Sequence, residues 1–186
     1  MPSAEDDEQV TAWALAAGRG DATATTAFVR ATQQDTWRFL RHLLGGPDID
    51  DLVQETYLRA LRGLPRFAGR SSARTWLLGI ARRVAADQLR AARSRPRTGP
   101  LEDDQHPAAP GGRFDEQVVL DQLLRQLAPD RREAFVATQV LGLSYEEAAR
   151  VCGCPVGTIR SRVARARQDL VVAVGGAGRH RSDRAG

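Results

Sequence analysis

The chain has 186 residues, of which 42% are hydrophobic and 27% charged, and its formal net charge is +4. That length holds one domain or two small ones, and a Pro-rich stretch near the middle favours two. No apolar run is long enough to span a bilayer and the first residues are acidic, so nothing suggests a membrane span or secretory signal, and the expected compartment is the cytoplasm.

The charge is segregated along the chain. Met1 to Asp21 carries Glu5, Asp6, Asp7, Glu8 and Asp21 against Arg19, whereas Arg70 to Arg97 carries eight arginines against Asp87. All 27 basic residues are arginine, whose fork grips phosphate and guanine. The second segment is therefore a candidate polyanion surface.

Residues 1 to about 8 are polar and aperiodic, so they are expected to be disordered, with a helix beginning near Gln9. Val10, Trp13, Ala14 and Ala17 share a face, and Gly18 to Asp21 breaks the run. Ala22 to Leu44 resumes it through Phe28, Val29, Trp37, Phe39, Leu40 and Leu43, until Gly45, Gly46 and Pro47 stop it. Asp48 is placed to cap the next helix, with Asp50 and Asp51 at its positive end. On that helix Val53, Tyr57, Leu58 and Leu61 suit a core, and Asp51, Gln54 and Glu55 face outward. Taken alone, these acids fit a capped, solvated helix better than a binding face.

The loop Pro65 to Ser72 precedes a helix whose Trp76, Leu77, Ile80, Val84 and Leu89 recur at helical spacing. Its other side carries Arg74, Arg82, Arg83, Asp87, Arg90 and Arg93, a basic density that suits nucleic acid. Trp76 reads as core rather than as a stacking platform. Pro96 to about Gly112 holds four prolines, three acids and a Gly-Gly pair, the composition of a flexible linker. Beyond it Val118, Leu120, Leu123, Leu124 and Leu127, then Ala134, Phe135, Val140 and Leu141, give two helices separated at Pro129.

Leu143 to Leu170 reads as two short helices joined by a tight turn. Ser144 and Glu147 form a capping box, Gly153 permits the corner, and Pro155 fits the first turn of the second helix. Ile159, Val163, Ala166 and Leu170 make a buried stripe on that helix, which is expected to run to about Leu170. Gly157, Ser161, Ala164 and Gln168 lie opposite, flanked by Arg160, Arg162, Arg165 and Arg167, a face suited to a major groove. Arg160, Ser161, Ala164 and Arg165 are expected to face bases, and Thr158 and Arg162 phosphates. The Gly-rich tail after Val174 is expected to be disordered.

Cys152 and Cys154 lack companions for a zinc site and read as turn residues. His42, His106 and His180 are scattered, and neither a nucleophile pattern nor a phosphate-binding loop is present. No enzyme, metal or cofactor is expected. The fold class is all-α, with two small helical domains joined by a flexible linker, the second containing a helix-turn-helix.

DDLVQETYLRAL at 50–61, SSARTWLLGIARRVAADQLR at 71–90 and the helix-turn-helix at 143–167, in that order and spacing, resemble bacterial sigma factors of the extracytoplasmic-function group. The resemblance covers roughly residues 22 to 172. It implies an acidic N-terminal segment over 1–20, a core-polymerase and minus-ten domain over 21–97, a linker over 98–114, a minus-thirty-five domain over 115–174 and a disordered tail over 175–186. By the same resemblance Asp51, Gln54 and Glu55 dock on the beta-prime clamp helices of core RNA polymerase, the beta subunit being a further contact. The loop from Phe67 through Arg70, Ser71 and Ser72 captures an unstacked base of the minus-ten element, and Arg74, Arg82, Arg83, Asp87 and Arg90 complete that surface. Thr158, Arg160, Ser161, Arg162, Ala164 and Arg165 read the minus-thirty-five duplex. The acidic linker is expected near the polymerase cleft, and an anti-sigma factor is a further partner common in the group. Arg83 and Ala164 depart from residues common among relatives, so the promoter sequence does not carry over. The rival reading is a stand-alone helix-turn-helix regulator that binds a duplex operator without polymerase.

Overall fold

A computed structural model describes the backbone of residues 4–46, 48–94 and 112–182. Every regular element among them is helical. α1 (Ala4–Gly18), α2 (Ala22–Leu44), α3 (Ile49–Gly63) and α4 (Ala73–Ser94) form the N-terminal group, with one 3-10 turn at Leu64–Arg66. α5 (Gly112–Gln126), α6 (Pro129–Phe135), a π-helical turn at Val136–Val140, α7 (Tyr145–Cys152) and α8 (Val156–Ser182) form the C-terminal group.

The N-terminal group closes around Val10, Ala14, Phe28, Tyr57, Ala60, Leu64, Ala73, Leu77 and Ile80. Burying a side chain such as Phe28 contributes about 1.5–3 kcal/mol. Tyr57 satisfies its hydroxyl on Thr32, 2.8 Å away, inside this core. Asp21 caps α2 by accepting the Ala24 amide at 2.9 Å. Gly18 is where α1 meets the 3-10 turn: a Cβ there would lie 2.5 Å from the Leu64 carbonyl oxygen. Only glycine permits that approach.

Five expectations need correction. Helix α1 begins at Ala4, not near Gln9, since Val10 and Ala14 anchor it and continuing a nucleated helix costs less than starting one. Asp48 sits at the N-cap of α3 without a side-chain capping bond, leaving Asp50 and Asp51 as the first-turn acids. Residues 112–114, assigned to the linker, open α5, while 98–111 lie outside the described residues. The backbone of α8 passes Leu170 and runs to Ser182. Its glycines each cost about 1 kcal/mol of helix propensity, but nothing in 175–182 is a proline that would end the helix outright. Leu58, Leu61 and Leu89, read as core, are about 40% exposed.

The two groups of helices share one apolar interface. Phe39, Leu40, Ile49, Leu78, Ala81 and Ala85 from the first cluster with Leu124, Leu127, Ala137, Leu141, Leu143, Ala148, Val151, Ile159 and Val163 from the second. Polar bonds stitch its margin. Arg74, only 6% exposed, donates to Asp35 of α2 and to the Leu141 carbonyl, both at 2.6 Å. Asp121 of α5 receives Arg41 at 3.0 Å and His42 at 2.8 Å. Arg132 reaches the Leu43 carbonyl at 2.9 Å, a cation on the negative end of α2.

Candidate nucleic-acid and polymerase interfaces

The helix-turn-helix is built as its sequence requires. The Ser144 hydroxyl accepts the Glu147 amide at 3.2 Å, and Glu147 accepts the Ser144 amide at 3.0 Å. Gly153 takes a left-handed conformation with φ 65°, and α8 starts three residues later. Ile159, Val163 and Ala166 are buried, which turns Arg160, Ser161, Ala164 and Arg165 outward. Arg160 and Arg165 have no ion-pair partner among the described residues. Arg162 is held by Asp130 of α6 at 3.2 Å and approaches the Cys154 sulfur, while Thr158 is half-buried. The outer face of α8 is therefore open, with two unengaged guanidiniums beside small side chains.

The basic side of α4 is divided. Arg70, Arg83 and Arg90 are exposed, and Ser71 is half-buried. Phe67 packs on Trp76 with ring centroids 4.8 Å apart, so the aromatic pair forms a wall where the loop enters α4. Three other predicted members, Ser72, Arg74 and Arg82, are occupied by the C-terminal group. Arg74 is in the interface just described, the Ser72 hydroxyl lies 3.5 Å from Glu147 beside the Thr75 hydroxyl at 3.2 Å, and Arg82 is paired with Glu133. Asp87 accepts bonds from Arg59 and Arg90.

Three carboxylates at this junction show what they face. Burial pushes the Glu133 carboxyl up, with Arg82 opposing it in part. Burial would also raise Glu147, yet bonds from Ser144 and Thr75 and the charge of Arg74 hold it below its ordinary value. Asp121 behaves alike: burial opposes ionisation, and His42 and Arg41 outweigh it. Burial drives the Cys152 thiol up to about 12, consistent with a packed turn residue rather than a reactive one.

On α3, Asp51 and Gln54 are exposed and Glu55 is partly so, held by Arg59 at 2.7 Å. Leu58 and Leu61, 43% and 39% exposed, continue the same stripe. Sequence reading missed these two as candidate binding residues. The signal was present in the steps 51, 54, 58, 61, which recur at helical spacing along one side.

Comparison with known proteins fits this arrangement. Residues 28–95 match the family profile of sigma-70 region 2, and residues 117–170 match that of sigma-70 region 4. The chain belongs to the sigma-70 family and is an RNA polymerase sigma factor of the extracytoplasmic-function group. It is 53% identical over 176 residues to the ECF RNA polymerase sigma factor SigC of Mycobacterium tuberculosis, covering 91% of this chain and 93% of that protein. It is 33% identical to the ECF RNA polymerase sigma-E factor of Escherichia coli, covering 82% and 87%. Among solved structures, CnrH in complex with the cytosolic domain of CnrY aligns with a TM-score of 0.73 at 26% identity, covering 90% of this chain and 98% of that one. The sigma factor RpoE of Bartonella quintana, in complex with the anti-sigma factor NepR, aligns at 0.62 and 28% identity, covering 78% and 92%.

Proposed function

We propose that this sigma factor directs core RNA polymerase to promoters through three surfaces. The stripe Asp51, Gln54, Glu55, Leu58 and Leu61 docks on the beta-prime clamp helices. The loop from Phe67 to Ser72 and the basic side of α4, through Arg74, Arg82, Arg83, Asp87 and Arg90, take the minus-ten element. Thr158, Arg160, Ser161, Arg162, Ala164 and Arg165 take the minus-thirty-five duplex, with Arg162 reaching phosphate once it leaves Asp130. Residues 21–97 and 115–174 are the corresponding functional units. The single observation that carries this reading is the separation of an acidic, partly apolar face on α3 from arginine-rich faces on α4 and α8.

The factor is not itself an enzyme, works in the cytoplasm where its polymerase and template are, and is a target for an anti-sigma protein. Minus-ten engagement requires the two groups of helices to part, because Arg74, Arg82 and Ser72 cannot serve DNA and α6–α7 together. Two linked contacts then raise each other's effective concentration on a promoter. Run-off transcription with purified core polymerase across a promoter library tests the whole reading. Site-dependent initiation supports it; tight duplex binding by the chain alone with no effect on polymerase would replace it with a stand-alone regulator.

A further inference from the structure

Arg59 joins two surfaces that the proposed function treats separately. Its Nε donates to Glu55 at 2.7 Å and its Nη1 to Asp87 at 2.7 Å, so one planar guanidinium is forked between carboxylates of α3 and α4. Glu55 belongs to the docking stripe. Asp87, the only acid between Arg70 and Arg97, sits among arginines on the helix assigned to minus-ten DNA and also accepts from Arg90.

A carboxylate beside nucleic acid is useful only under control. Left alone it repels phosphate; held and partly neutralised, it keeps lone pairs that can accept from an exocyclic amine such as that of cytosine. Arg59 supplies that control from the neighbouring helix. The fork matters, since an ammonium group in its place could neutralise one carboxylate but not bridge two in a fixed plane.

We propose that Arg59 is a positioning residue that orients Asp87 for base discrimination in the minus-ten element and couples that discrimination to occupancy of Glu55 by the polymerase. This rests on the reading of Asp87 and Glu55 given under the proposed function. When a basic polymerase group takes Glu55, the guanidinium transfers its full fork to Asp87, so the reader is set by docking.

The test uses reconstituted holoenzyme at saturating sigma factor, with transcription measured on promoters carrying each base at each minus-ten position. Asp87→Asn should redistribute base preference at one position. Arg59→Ala should alter preference at that same position by about two- to fivefold, the range of an exposed ion pair. The double variant should show no more change than Asp87→Asn alone, and Arg59→Lys should restore preference in part. If Asp87→Asn is selective but Arg59→Ala lowers output equally on every promoter, Arg59 only braces α3 against α4 and the proposal fails. If Asp87→Asn changes no preference, the base-reading assignment of Asp87 falls and takes the proposal with it.

Discussion

Helices α4 and α8 both carry arginines along one side, yet the structure treats them in opposite ways. On α8 the buried stripe faces its own domain and Arg160 and Arg165 stand in solvent; on α4 Arg74 is 6% exposed and Arg82 is paired with Glu133. Sequence composition does not distinguish the two. The difference lies in what each helix has for neighbours: α4 has an apolar patch at Leu78, Ala81 and Ala85 against which the C-terminal helices pack, whereas the side of α8 that carries Arg160, Ser161, Ala164 and Arg165 is exposed among the described residues. An arginine-rich face is thus a capacity for nucleic acid, and packing decides when that capacity is available.

The largest expected effect attacks the covered helix. Arg74→Ala leaves Asp35 without its partner and the Leu141 carbonyl without its donor, so the chain should lose about 3 kcal/mol in urea unfolding. A loss below about 1 kcal/mol would mean that this pair is solvated and the interface loose. On the open helix, Arg160→Ala should leave stability unchanged and weaken minus-thirty-five binding by about 1–3 kcal/mol if the side chain forks onto guanine. Equal losses on promoter and random duplex would move that arginine to a phosphate.

Glu133→Gln should raise binding of the isolated chain to a minus-ten single strand by about fivefold, because Arg82 keeps a weaker, uncharged partner. The same variant sharpens the comparison through pH. Glu133, raised above its ordinary 4.5, contributes stability that is present below 4.5 and is lost as pH rises through its folded value. Glu147 and Asp121, lowered from 4.5 and 3.8, contribute stability present above those values and lost as pH falls further. Stability measured by denaturant should therefore climb on mild acidification from neutral and decline below 4.5. Glu133→Gln should reduce the climb, leaving the part that Asp7, also raised by burial, contributes, and should keep the decline; an unchanged profile would exclude Glu133 as a source of the climb. The smallest effect belongs to neither arginine helix. Leu58→Ala, at a half-exposed position, should spare folding and weaken polymerase association by about 0.5 kcal/mol, and unchanged affinity for core polymerase would remove it from the docking stripe.

Local chemistry made much of this legible. The capping box at Ser144 and Glu147, the corner at Gly153 and the buried Ile159, Val163 and Ala166 follow from hydrogen-bonding groups and periodicity within a dozen residues. Periodicity also placed α2, α3 and α4. It failed where the answer depends on a distant partner. Leu58 and Leu61 have the composition of core residues, but among the described residues they are left about 40% exposed. Arg74 looks like its neighbours in sequence and is buried because Asp35, 39 residues away, and Leu141, 67 residues away, meet it. Charge pattern marked the basic side of α4; it could not say that part of that side is covered by the chain's own C-terminal helices.

The N-terminal helix has a practical implication for fragment design. The Thr11 hydroxyl accepts the Ala73 amide at 3.0 Å, so α1 closes the exposed start of α4 from 62 residues away. The family profile for the first domain begins only at residue 28. A first-domain fragment cut at that boundary would discard both this acceptor and the Val10 and Ala14 packing, and would enter solution with the leading turn of α4 frayed. Cutting ahead of Ala4 keeps the turn wound.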